Sequence, residues 1–170
     1  MEQSGGERDE TEGFGMIVNW FTGSAKHTLD PKGRIFIPAN YREALGENFT
    51  IGLNNDLRTI AFYPKERWDE KLTQLSVIPE TDIVGRNYIR FILSHAYANS
   101  NLDNQGRVLI PTDLRDDFLG GAKEAKFMGV GDNLELWHPE KVTGLQVETD
   151  ELVVNTLKYI NDTYFSKPQA

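Results

Sequence analysis

The chain has 170 residues, a net charge of −8 and no cysteine. That length suits one compact domain, or two small units sharing one core. The lack of thiols excludes a disulfide framework, a thiolate nucleophile and a cysteine-based zinc site. No apolar run approaches the roughly 18–20 residues of a membrane span.

Residues 1–15 hold five acids against one base, the reverse of the basic-then-apolar order of a secretory signal. They read as a disordered acidic extension, with Met16 a candidate alternative start, and the protein is expected in the cytoplasm. Residues 148–170 hold four acids against two bases, which leaves seventeen acids and fifteen bases in 16–147. The acidic balance opposes non-specific binding to nucleic acid. A near-neutral body can still present a cationic face if its arginines converge.

In chain order, the first informative segment is Leu29-Asp30-Pro31-Lys32-Gly33-Arg34-Ile35-Phe36-Ile37-Pro38. It returns as Leu102-Asp103-Asn104-Gln105-Gly106-Arg107-Val108-Leu109-Ile110-Pro111. Extended to Arg42 and Arg115, the two copies share seven of fourteen positions at an offset of 73. The chain is therefore a duplicated unit. Asp30 and Gly33 (Asp103 and Gly106) occupy the first and fourth corners of a type I turn, with glycine supplying the positive φ that follows it. Each aspartate is expected to cap its own turn and to pair with the nearby arginine. The strand after the turn puts Ile35 and Ile37 (Val108 and Ile110) on one face and Arg34 (Arg107) on the other.

Pro38 and Pro111 then open short helices, 39–45 and 112–119. Strands follow at 49–53 and 59–63, and at 126–130 and 133–137, so each unit reads as hairpin, helix, hairpin. A helix over 65–75 follows the first unit. Another, over 82–95, links the units with Val84, Tyr88, Phe91 and His95 on one side. A C-terminal helix over 148–164 places Val153, Leu157, Ile160 and Tyr164 together. The expected division is an extension (1–15), a first unit (16–78), a linking helix (79–96), a second unit (97–147) and a C-terminal helix with tail (148–170).

These residues resemble the MraZ family of bacterial transcriptional regulators. The likeness covers Phe21 to about Val142 and includes Phe21-x-Gly23, His27-x-Leu29-Asp30-x-Lys32-Gly33-Arg34, the second Asp-x-x-Gly-Arg run and Gly131-x-x-Leu134-Glu135-Leu136-Trp137. It implies an α+β fold with a mostly β core: two tandem, pseudo-symmetric swapped-hairpin barrel units related to AbrB, a double-split barrel. It also implies ring-shaped homo-oligomers on short promoter repeats of double-stranded DNA, upstream of cell-division and cell-wall genes, and hence a nucleoid location. The family's DNA contacts fall on Lys32, Arg34 and Arg107. Gln105 stands where the first copy has Lys32, so the second turn keeps a hydrogen-bonding tip without the charge.

The chemistry suits that role. Lysine offers a point charge to phosphate. Arginine's fork grips phosphate or reads guanine, worth roughly 1–3 kcal/mol per good contact. Repetition around an oligomer would add avidity. Arg42 and Arg115 suit an ion pair within the unit as well as a contact with a partner subunit. Trp20 and Phe21 form a candidate apolar docking edge. His27, His95 and His138 are too scattered for a metal site. No phosphate loop or nucleophile elbow occurs, so no enzyme, cofactor or small-molecule substrate is expected. The alternative is an AbrB-type protein-interaction module, an antitoxin or scaffold, without strong DNA binding.

Overall fold

The structure, a computed structural model, describes residues 20–142 and 150–166. The acidic extension and Met16 lie outside the described residues. Two units emerge, 1–139 and 140–170, and the first contains both repeats.

The repeats exchange strands. In the first, β1 (Ser24–Thr28) and β2 (Arg34–Phe36) flank the Asp30 turn, and β3 (Phe49–Leu53) and β4 (Ile60–Pro64) follow helix α1 (Ala39–Leu45). In the second, β5 (Tyr97–Ser100) and β6 (Arg107–Leu109) flank the Asp103 turn, with β7 (Glu124–Gly129) and β8 (Leu134–Trp137) beyond it. A six-stranded sheet runs β1-β7-β8-β4-β3-β5, and β2 pairs with β6 in a separate ribbon. Both sheets are antiparallel throughout. The order is symmetric about the β8–β4 seam: each repeat's first strand adds to the other repeat's second hairpin. The fold is thus α+β with a mostly β core, and its first hairpins are swapped.

The local reading of each Asp turn as the tip of a simple hairpin needs correction. Leu29 bridges Ile35, and there the local pairing stops. Thr28 then lies opposite Glu124, and Ile35 opposite Val108. The reason is burial. Ile35, Ile37, Val108 and Ile110 all join one core with Phe49, Phe62 and Phe127, and only strands that part company can line both sides of it. Rings of the two repeats meet there, with centroids 6.0 Å apart for Phe62–Phe127 and 6.3 Å for Tyr41–Phe127. Such pairs add about 0.5–1.5 kcal/mol each beyond area burial.

Phe21 belongs to this core at 2% exposure, and only Trp20 remains outside. The apolar docking edge proposed for the two residues is therefore halved: Phe21 is anchored by paired backbone hydrogen bonds with Gly131.

Helix α2 (Lys65–Leu75) packs Trp68 and Leu75 with Tyr63 and Ile92 in a second cluster. Helix α3 (Ile83–Ser94) starts at Asp82, whose carboxylate accepts from the Gly85 amide at 2.9 Å. Its buried contact is Ile92, helped by Ile89. The expected apolar side is turned outward, with Val84 80% exposed and Tyr88 and Phe91 near 40%.

The second repeat's helix is a single α-helical turn, α4 (Thr112–Leu114), that widens into a π-helical turn over Arg115–Leu119 and stops at left-handed Gly120. The C-terminal unit holds α5 (Asp150–Ile160) and a π-helical turn, Asn161–Phe165. Its Leu157 and Tyr164, expected on one apolar face, are both 62% exposed.

Candidate nucleic-acid interface

The β2–β6 ribbon carries the duplicated motif. Arg34 lies opposite Leu109 and Phe36 opposite Arg107. Residues directly across an antiparallel pair share a face, so these four side chains point one way while Ile35 and Val108 enter the core. The two arginines are diagonal neighbours, with backbones about 7–8 Å apart. Lys32 and Gln105, both exposed, stand on turns at opposite ends of the ribbon. Strand exchange thus brings together on one face two motifs separated by 73 residues.

Each turn is built alike. The Gly33 amide donates to the Asp30 carbonyl at 2.9 Å, and the Gly106 amide to that of Asp103 at 3.0 Å. Both glycines are left-handed, with φ of 86° and 76°. Asp30 Oδ1 accepts from the Lys32 and Arg34 amides, and Asp103 Oδ1 from those of Gln105 and Arg107. The second oxygen of each accepts from its arginine's Nε, at 2.6 Å for Arg34 and 2.9 Å for Arg107. These amides, foremost Arg34's for Asp30 and Arg107's for Asp103, hold both carboxyls below the usual carboxylate range, and the guanidiniums reinforce the effect.

Because the aspartates bind through Nε, the outer guanidinium nitrogens stay available. Arg34 and Arg107 keep 34% and 28% of their side-chain exposure. Arg107 Nη1 also comes within 3.8 Å of Asp30, which ties the two turns together. The arginines are neither sealed in the core nor turned apart. They are aimed.

Among the described residues, Arg42 and Arg115 bond backbone carbonyls in place of the ion pair expected within the unit. Arg42 Nε donates to the Ile37 carbonyl at 2.7 Å, and Arg115 Nε to that of Ile110 at 3.0 Å. Their guanidiniums then lie on the other repeat's turn. A Cβ built on Gly106 would fall 2.3 Å from Arg42, and one on Gly33 would fall 2.2 Å from Arg115. Glycine is required at both turns by φ, and each guanidinium fills the space that its missing Cβ leaves. Their recurrence at the end of both motifs was the only sequence signal for this crossing. His27 packs between Phe36 and Phe127. Among the described residues, no group of three or more His, Cys, Asp or Glu could hold a metal, and no helix is long and apolar enough to cross a membrane.

The molecule is therefore a two-repeat, strand-exchanged α+β protein whose duplicated Asp-x-x-Gly-Arg turns converge on one ribbon. A family model described as MraZ protein, antitoxin-like, matches residues 20–90 and 92–151. A protein of Natranaerobius thermophilus named transcriptional regulator MraZ is 37% identical over 147 residues, covering 84% of this chain and 97% of its own. One of the same name from Lactiplantibacillus plantarum is 38% identical over 82% and 99%. A third, from Alkaliphilus oremlandii, is 41% identical over 69% and 80%. The chain belongs to the MraZ family.

Proposed function

We propose that the protein is a non-enzymatic transcriptional regulator that binds short promoter repeats of double-stranded DNA through the β2–β6 face, working as a ring-shaped homo-oligomer. The reading carries over transcription regulation from its relatives' names, and from the family resemblance the promoter repeats upstream of cell-division and cell-wall genes. One observation carries it most: Arg34 and Arg107, held at fixed orientation by Asp30 and Asp103, stand together on an exposed two-stranded ribbon. A ribbon of that width fits the major groove of B-DNA. Lys32 and Gln105 at the turn tips then meet the flanking backbone. Self-association is supported by the outward apolar side of α3 (Val84, Tyr88, Phe91), and repetition offsets the weak grip of a few cations on one acidic chain.

The test is affinity for a fragment of the protein's own upstream region. The Arg34→Ala, Arg107→Ala double variant should bind at least about tenfold more weakly, given about 1–3 kcal/mol per arginine contact. Wild-type affinity in a folded double variant would remove the reading head.

The exposed α3 side also suits a protein-interaction module of the antitoxin or scaffold kind. Capture of a protein partner with no DNA shift at moderate salt would favour that reading.

A further inference from the structure

The ribbon's charge balance points beyond Arg34 and Arg107. Each of those is neutralised by the aspartate of its own turn, at 2.6 and 2.9 Å. A polyanion is attracted by charge that remains uncompensated. On this face that leaves Lys32, together with Arg42 and Arg115.

Among the described residues, neither Arg42 nor Arg115 has a carboxylate oxygen within ion-pair distance. Both are half-buried and fixed by neutral acceptors. Arg42 bonds the Ile37 carbonyl and lies 4.3 Å over the ring of Phe36, itself an outward residue of the ribbon. Arg115 bonds the Ile110 carbonyl and the Thr112 hydroxyl at 3.1 Å. Glu43 and Glu47 line the cleft of Arg42, and Asp30 and Asp116 that of Arg115. Glu43 and Asp116 directly follow the arginines on helical turns, so their side chains diverge.

We propose that Arg42 and Arg115 are a second pair of DNA-binding residues, contacting phosphates beside the turns of Gly106 and Gly33. This rests on the DNA-binding reading above and divides its labour. Arg34 and Arg107, locked and neutralised, give geometry suited to base edges. Arg42 and Arg115 supply net charge at the two ends of the same ribbon, where the groove's walls would run. Each arginine comes from the repeat opposite the turn it serves, so one subunit grips both walls only when its repeats are correctly exchanged.

The experiment measures affinity of the full chain for a duplex from its own upstream region across a salt series. Each phosphate contact contributes about 0.9 to the slope of log affinity against log salt. The Arg42→Gln, Arg115→Gln variant should therefore lower the slope by about 2, and Arg42→Lys, Arg115→Lys should restore it. A Gln variant with the wild-type slope overturns the proposal, as does a Lys variant that loses as much slope as the Gln variant. Failure of the wild-type protein to bind DNA removes the underlying reading instead.

Arginine modification by phenylglyoxal, mapped by mass spectrometry on the wild-type protein, does not depend on the variants folding. Arg42 and Arg115 should react in the free protein and be protected by DNA, while Arg86 and Arg90 on α3 react in both. Equal reactivity with and without DNA, or none in either state, overturns the proposal, because a guanidinium closed to the reagent is closed to phosphate.

Discussion

At the scale of single residues, Asp30 and Asp103 shape the candidate interface. Each joins two backbone amides and one guanidinium into a rigid turn, so an arginine that would otherwise sweep through many rotamers is presented in one. Preorganisation of this kind removes ordering cost at the moment of binding. It also ties stability to pH. Both carboxyls titrate below their ordinary value of 3.8 when folded. A lowered folded pKa means that their contribution is complete above that value and is lost as pH falls through it towards the folded pKa. The urea midpoint of the wild type should drop across that range. The Asp30→Asn, Asp103→Asn variant should be less stable at neutral pH and show a shallower acid decline. Parallel curves would mean that the turns do not carry this dependence. The two aspartates were legible as turn caps because aspartate at the first corner and glycine at the fourth leave few other conformations.

Helix α3 is the instructive element. Its boundaries follow from local chemistry, since Asp82 caps the start by accepting from the Gly85 amide. Asp82→Ala should lower thermal stability by about 1 kcal/mol, the usual cost of a lost cap; an unchanged melting curve would show that tertiary packing alone holds the helix end. The periodicity identified a helix with an apolar side. It did not say which side is buried. Val84, Tyr88 and Phe91 repeat at helical spacing, yet Ile92 and Ile89 make the contact with Trp68 and Tyr63. A hydrophobic stripe has the same spacing whether it meets this chain's core or another molecule. The helix after Pro111 shows the opposite limit: the turn over Arg115–Leu119 widens to π geometry, a local departure with no periodic signature.

For the molecule as a whole, strand exchange makes the repeats interdependent. β1 has its partner in β7, β2 in β6, and β5 in β3; neither repeat completes its sheet alone. Phe127, fully buried against Phe62 and Tyr41 of the other repeat, should reveal this. Phe127→Ala should cost about 3–5 kcal/mol and shift one cooperative transition for residues 20–139, followed both by circular dichroism and by hydrogen exchange in each repeat. Separate transitions for the two repeats would contradict a shared core. The same exchange creates the candidate site, because without the β2–β6 pairing the two Asp-x-x-Gly-Arg turns would have no common face.

Duplication, turn chemistry, most element positions and the residue types of the candidate site are readable along the chain, because all depend on neighbours within a few positions. The tertiary structure alone decided which strands pair, where Phe21 and the α3 stripe lie, and that Arg42 and Arg115 reach across to the opposite turns. Those outcomes depend on filling one core from two repeats of near-equal pattern. Local preferences are the same whether a strand pairs within its own copy or with the other, so only the packing of Ile35, Ile37, Val108 and Ile110 into a common interior selects the exchange.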